Sequence, residues 1–398
     1  MKAASHNGNV VRLAGAQALS MTTMNVNIIN TALVGALLAP VAWLATLPLS
    51  LQFLASMMTT LPASLLMARF GRRPVFIAGV ICSSIGAFGE GIAIIIESYE
   101  LFCASALLLG VAMGCSAFYR YAAADSASES QKPRAISYVL TGGLAAALLG
   151  PEIARNTVNM VPGALYAGCF FTVGAVQLVS LFFLAGLKIA KPERHHGSGR
   201  PIGVFLRMPV FVVGMLSSAI GYGLMSYLMT ATPLQVVNVA QLGTSANATI
   251  IQWHVVAMFA PSFFTGNLIA RFGAQRILWA GLVAYILTIS VAVGASGFWP
   301  YWWALTLVGL GWNFLYIGGS SLVAKAALPE ERGRVQGFAD LMITSTVAAS
   351  SLTAGAIHSL LGWRAMALAA IVPLSLVAVS LIWLLIQSRQ QSRQQTAD

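Results

Sequence analysis

Long apolar runs separated by short polar breaks fill this chain from end to end. Each run is about 20 residues long, the length a helix needs to cross a bilayer. Residues within a run do not alternate between apolar and polar, which excludes the strands of a membrane barrel. In lipid a spanning segment must satisfy its own backbone hydrogen bonds, so each run is predicted to be a helix. The breaks define spans at roughly 13–37, 43–67, 75–96, 101–123, 134–154, 161–187, 209–232, 248–270, 277–297, 301–325, 335–358 and 365–387. The pattern predicts an all-α membrane protein with twelve transmembrane helices in two pseudo-symmetric six-helix bundles. Residues 1–187 form the first bundle, 188–208 a central loop and 209–398 the second bundle.

The central loop is the longest polar connector. It holds His195, His196, Gly197, Ser198, Gly199, Arg200 and Pro201, a flexible composition. The histidine pair is taken as solvated, so no metal site is expected.

Composition sharpens this picture. The chain is 58% hydrophobic and 8% charged, whereas a soluble domain carries roughly a quarter charged residues. A net charge of +11 does not point to nucleic acid, because the charges lie in ones, twos and threes between apolar runs. With twelve spans, 19 of the 22 Lys and Arg fall on the side that carries both termini. Only Arg120, Arg155 and Arg364 fall elsewhere. That asymmetry predicts that both termini lie in the cytoplasm. The first apolar run ends without a small-residue cleavage site and is expected to stay as a span. Cys82, Cys103, Cys115 and Cys169 all lie within apolar runs, as buried single thiols. There is no nucleophile elbow, paired metal ligands or phosphate loop. An enzyme is therefore not expected, nor is any cofactor.

One short segment occurs twice. Ala68-Arg69-Phe70-Gly71 returns 202 positions later as Ala270-Arg271-Phe272-Gly273, each copy after the second span of its half. Glycine allows a turn too tight for a side chain. The arginines, with Arg72 and Arg73 in the first copy, anchor the turn at an anionic surface.

Ser64 to Arg73 resembles the loop motif Gly-x-Leu-x-Asp-Arg-x-Gly-Arg-Arg of the major facilitator superfamily. The second copy, Gly266 to Gly273, matches its first glycine as well. Both copies carry Ala (Ala68, Ala270) where the family usually has Asp. In the family that Asp joins a charge network that locks the outward-open state, so the resemblance leaves this lock in question. Tyr222 to Met225, Met229 to Leu234, Gln252-Trp253-His254, Met258 to Gly266 and Gly311 to Phe314 resemble one bacterial branch of the superfamily. That branch implies transport; some of its wider relatives import riboflavin and others export drugs. Exporters usually carry Gly-x-x-x-Gly-Pro-x-x-Gly in span 5. Here Gly150-Pro151 is flanked by Ala146 and Ala154, and span 4 has Ala106 where exporters often have Arg.

The resemblance implies two halves rocking around a midplane site lined by spans 1, 4, 7 and 10. Polar groups midway along those spans are the candidates, because a polar group facing lipid is costly. Gln17, Ser20, Thr23, Asn27 and Asn30 share one face of span 1. That face either lines the cavity, the preferred reading, or packs as a hydrogen-bonded seam. Tyr222 and Tyr227 in span 7, with Trp312, Asn313 and Tyr316 in span 10, suit a flat ligand that stacks and hydrogen-bonds.

Ionisable groups form a second set of candidates, for proton coupling or gating. Glu90 is a buried carboxylate in span 3, and Glu152 and Arg155 are positioned to pair. Arg120, Asp125 and Asp340 are expected in one gate network, and His254 either titrates or packs. The favoured function is uptake of an aromatic solute such as riboflavin by a monomer in the lipid bilayer, with protons as a coupling ion. The alternatives are a proton-coupled exporter, or a receptor or scaffold that has kept the fold.

Overall fold

The computed structural model describes residues 2–127, 132–189, 200–328 and 331–395. His195, His196 and the rest of 190–199 in the central loop lie outside the described residues. Among those described, the chain is helical and has no strand. The first half contains α1 (Lys2–Leu38), α2 (Leu47–Phe70), α3 (Arg72–Ile95), α4 (Tyr99–Ser116), α5 (Tyr119–Asp125), α6 (Lys132–Thr157) and α7 (Ala167–Ala185). A four-residue α8 (Ile202–Phe205) leads into the second half. There follow α9 (Pro209–Pro233), α10 (Gly243–Phe259), α11 (Ser262–Phe272), α12 (Ala274–Val293), α13 (Phe298–Ala326), α14 (Arg332–Ala369) and α15 (Ile371–Gln395).

Among the described residues nine helical stretches are long and apolar enough to cross a membrane, or ten if α10 and α11 count as one bent span. Several predicted straight spans are broken. The segment at 101–123 divides at Ala117–Phe118 into α4 and α5, and 248–270 bends by 40° between α10 and α11. α9 continues into a wider π-turn over Leu234–Val239. Gly362, at φ 75°, folds the long α14 back on itself.

The repeated motif makes the same corner twice. Gly71 is the single residue between α2 and α3, at φ 89° and ψ 167°. Gly273 does the same between α11 and α12, at φ 83° and ψ 149°. A side chain cannot adopt these angles without strain, so glycine is what permits two helices to meet with no intervening loop.

Packing repeats across the halves. In the first, α1 packs on α6 and α7, α4 on α2 and α3, and α3 on α7. In the second, α9 packs on α14 and α15, α13 on α10 and α12, and α12 on α15. Small residues make the equivalent approaches. A Cβ on Gly110 of α4 would collide with the Gln52 carbonyl of α2, and one on Gly309 of α13 with the His254 carbonyl of α10. The bundles then meet through α2 on α14 and α6 on α10.

The two ends of this assembly differ. The basic end gathers Arg12 on the Gly186 carbonyl, Arg72 on Asp125, and Arg200 on Glu331. At the far end the halves are sealed together. Asn247 of α10 donates to the Ile29 carbonyl of α1 at 3.2 Å. Ser50 of α2 meets Ser351 of α14 at 2.9 Å. Gly355 of α14 lies hard against Thr46, and Ala32, Ala45 and Leu234 close a small apolar cluster. Residues 25–35 of α1 and 223–236 of α9 are all buried there, whereas 18–21 of α1 are half-buried and Val11 and Arg12 are exposed.

Candidate substrate site and gates

Aromatic rings from α9, α10 and α13 gather into one group in the second half. Trp312 and Tyr316 are one turn apart, so both project from the same face of α13. Their rings stack, 5.1 Å between centroids and 10° between planes. Tyr222 of α9 stands edge-on to both, at 5.4 and 5.5 Å, and Phe259 of α10 stands edge-on to Trp312 at 6.0 Å. These are favoured aromatic geometries. The Trp312 indole N–H is buried yet has no acceptor among the described residues. Trp312 belongs to a large apolar core that draws on both halves, and Met24 of α1 and Met113 of α4 pack against that core.

Arg120 of α5 reaches this group from the first half. Its guanidinium lies over the Tyr121 ring at 4.8 Å and donates to the Tyr121 hydroxyl at 3.1 Å. It also faces Tyr316 and Asp340 of the second half, and the Tyr121 hydroxyl approaches Asp340 at 3.5 Å. A cation, two phenols and a carboxylate therefore bridge the halves near the basic end.

Asp125 does not join that group as expected. It is paired with Arg72 instead, inside the first bundle. The reason is positional. α5 is only seven residues long, and Asp125 is its last, facing the start of α3, where Arg72 also donates to the Phe118 carbonyl at 3.4 Å.

The polar face of α1 differs from its preferred reading. Thr23 donates to Gln177 of α7 at 3.3 Å, and Gln177 donates to Ser20 at 3.2 Å. That part of the face takes part in a hydrogen-bonded seam within the first bundle. Asn27 and Asn30 are buried, and their amides donate to the Thr23 and Val26 carbonyls of their own helix at 3.3 and 3.0 Å. Asn313 is also turned away from the aromatic group. Its amide donates to the Met258 carbonyl and to Ser262, and its carbonyl accepts from Thr265, all at 2.7 Å. It thereby clamps the break before α11, where Pro261 has no N–H to continue the ladder.

The remaining ionisable groups lie apart from the aromatics. Glu152 and Arg155 do pair on one face of α6, and Arg155 also reaches Gln252 and Thr249 of α10 at 2.9 and 3.2 Å. This links the halves towards the far end. His254 is fully buried, with Nδ1 2.7 Å from the Leu305 carbonyl, as a packing histidine would be. Glu90 is fully buried in α3, and neither oxygen has a partner among the described residues. Tyr227 is buried with its hydroxyl unpartnered. In both loop copies the arginine lies 5.1 Å over the following phenylalanine, Arg69 on Phe70 and Arg271 on Phe272.

Sequence reasoning did not single out three contributors. Gln177 is the partner that turns the α1 face, and Asn247 seals the far end. His358, in α14, meets Gln235 at 3.0 Å, and Gln235 donates to Tyr301 at 2.7 Å. Gln177 is a lone polar residue in an apolar run, a signal available in the sequence, whereas Asn247 is hidden among Thr244, Ser245 and Thr249, and His358 stands beside Ser359. Outside the spans, Arg200 clasps buried Glu331 through its side chain and its backbone N–H, while Leu328 N–H adds a third donor. The bonds from Arg200 hold that carboxyl down to about 2.

Comparison with known proteins places these features in context. The model of the Major Facilitator Superfamily matches residues 13–260 and 237–398. A relative from Brucella anthropi, named riboflavin transporter RfnT, is 39% identical over 89% of this chain and 90% of its own length. An uncharacterised transporter of the same type from Bacillus subtilis, YddS, is 30% identical over 72% of this chain and 70% of its own. Among solved structures, a bacterial homologue of the human lysosomal transporter Spinster aligns with a TM-score of 0.71 at 14% identity, covering 94% of this chain and 95% of its own.

Proposed function

The chain belongs to the major facilitator superfamily, and from that premise we propose that it carries riboflavin, or a flat aromatic metabolite of the same kind, into a bacterial cell. It is a multi-pass membrane transporter and not an enzyme. The observation that carries the cargo reading is the stacked Trp312–Tyr316 pair with Tyr222 at its edge, beside Arg120 and an indole N–H that lacks an acceptor. A fused-ring ligand gains contact area from the aromatic faces. The unpaired donors of Trp312 and Arg120 are placed to meet its carbonyl oxygens or a hydroxylated tail. The name of the Brucella anthropi relative points the same way.

In this reading the basic end faces the cytoplasm and both termini lie there, as the bias of Lys and Arg favours. The conformation is then closed to the outside through Asn247, Ser50 and Ser351. Residues 1–187 and 209–398 tilt against each other to expose the aromatic group first to one side and then to the other. Arg120, Tyr121 and Asp340 act as the inner gate, and Arg155 with Gln252 and Thr249 as part of the outer one. The test is growth of a riboflavin auxotroph at limiting riboflavin, with and without the protein, alongside uptake of labelled riboflavin into proteoliposomes. Faster growth and saturable uptake are expected. Vesicles that accumulate no more flavin than protein-free controls would eliminate this cargo.

A further inference from the structure

A groove runs along the outer wall of the first bundle, away from the interface between the halves. Met58, Leu66 and Phe70 of α2 form one wall, and Ala78, Gly79 and Cys82 of α3 lie along its floor. Its volume is about 490 Å3, and its lining is almost wholly apolar. Small residues keep it open. A Cβ on Gly79 would come within 2.8 Å of the Cys115 Cβ, so α3 lies close to α4, and Val111 and Cys115 of α4 also line the groove. Met58 and Phe70 are 65% and 53% exposed along its rim.

The dimensions select the occupant. From Met58 to Phe70, α2 rises about 18 Å, the reach of a long acyl chain. A helix about 10 Å across and 18 Å long would occupy roughly 1,400 Å3, about three times the volume of the groove, so a neighbouring protein helix does not fit inside it. Charge selects the headgroup. Phe70 and Pro74 line the groove on either side of the corner made by Gly71, each next in sequence to an arginine (Arg69, Arg73), and the stretch 64–75 has three arginines and no acid. Arg72 is buried and committed to Asp125, which leaves Arg73 exposed at the mouth. We propose that this groove holds one acyl chain of an anionic phospholipid whose phosphate rests against Arg73.

The test uses the full chain, purified in detergent and incubated with phosphatidylglycerol or with phosphatidylcholine of the same acyl composition, then examined by native mass spectrometry. One retained phosphatidylglycerol per chain is expected, with phosphatidylcholine held roughly fivefold more weakly, the effect of one basic side chain at a membrane surface. Arg73→Gln should bring the two lipids level. Ala78→Phe, at an exposed position on the groove floor, should lower retention of both. If that variant does not fold, Leu66→Asn, which makes the wall polar, replaces it with the same expectation. Equal retention of the two lipids by the native protein, or unchanged retention when the groove is filled, would overturn the proposal.

Discussion

At the scale of single residues, Trp312 and Asn313 are adjacent in sequence and opposite in role. Trp312 presents a ring and a spare N–H to the aromatic group, whereas every polar atom of Asn313 is engaged at the α10–α11 break. Trp312→Phe keeps the ring and removes the donor. Riboflavin uptake should then show a KM raised by about 2- to 10-fold, the worth of one hydrogen bond, with a fall in Tm that reflects only the smaller buried ring. Asn313→Ala should do the reverse. Orphaning buried partners costs about 1–3 kcal/mol, so Tm should fall while uptake per folded molecule is kept. Thermal unfolding in detergent and normalised uptake separate the two. Periodicity placed both residues on a central span, and it also put Thr23 on one face of α1. Which neighbour a face meets is a tertiary fact. Gln177 of α7 turned Thr23 and Ser20 into a seam, and no spacing within α1 could have indicated that.

At the scale of elements, the clearest feature in the sequence was the repeated corner, because Gly71 and Gly273 are demanded by backbone angles that other residues avoid. Gly71→Ala and Gly273→Ala should each lower stability by about 1–3 kcal/mol. Gly266→Ala is the control. It sits within α11 with open space where a Cβ would go, so the change should be neutral or stabilise by up to about 1 kcal/mol. Denaturation curves of the three variants would decide. The helix breaks were less legible. Pro62 lies within a continuous α2 while Pro261 marks a bend, and Asn313 on another helix is what holds the second open. The clasp between Arg200 and Glu331 carries a pH signature. Its carboxyl titrates at about 2 instead of 4.5, so its stabilisation is complete above the unfolded value and is lost as pH falls from about 4.5 towards 2. Native protein should therefore melt above Glu331→Gln at pH 7, and the gap between the two Tm values should narrow steadily below about pH 4.5 and close only as pH nears 2. A constant gap across that range would rule out the ionic clasp.

At the scale of the whole molecule, the repeated packing makes rocking of rigid halves the natural motion. Within each half, helices approach through glycines that admit no side chain, so each bundle resists internal rearrangement. Between halves the far end combines single hydrogen bonds with a small apolar cluster of Ala32, Ala45 and Leu234, and tilting the halves apart must break both. The duplication was visible in the sequence through the two loop copies. Which end is sealed was not, because that depends on pairs such as Ser50 and Ser351, separated by 301 positions. This pair also offers the most direct test of the motion. Their hydroxyls are 2.9 Å apart, close enough for cysteines at both positions to reach disulfide geometry. Oxidised Ser50→Cys/Ser351→Cys protein should bind riboflavin but not accumulate it in proteoliposomes, and reduction should restore uptake. Each single variant should transport under both conditions. If the cross-linked protein transported at the reduced rate, opening of that end would play no part in the cycle, and the two halves would have to move solute by some route other than tilting apart.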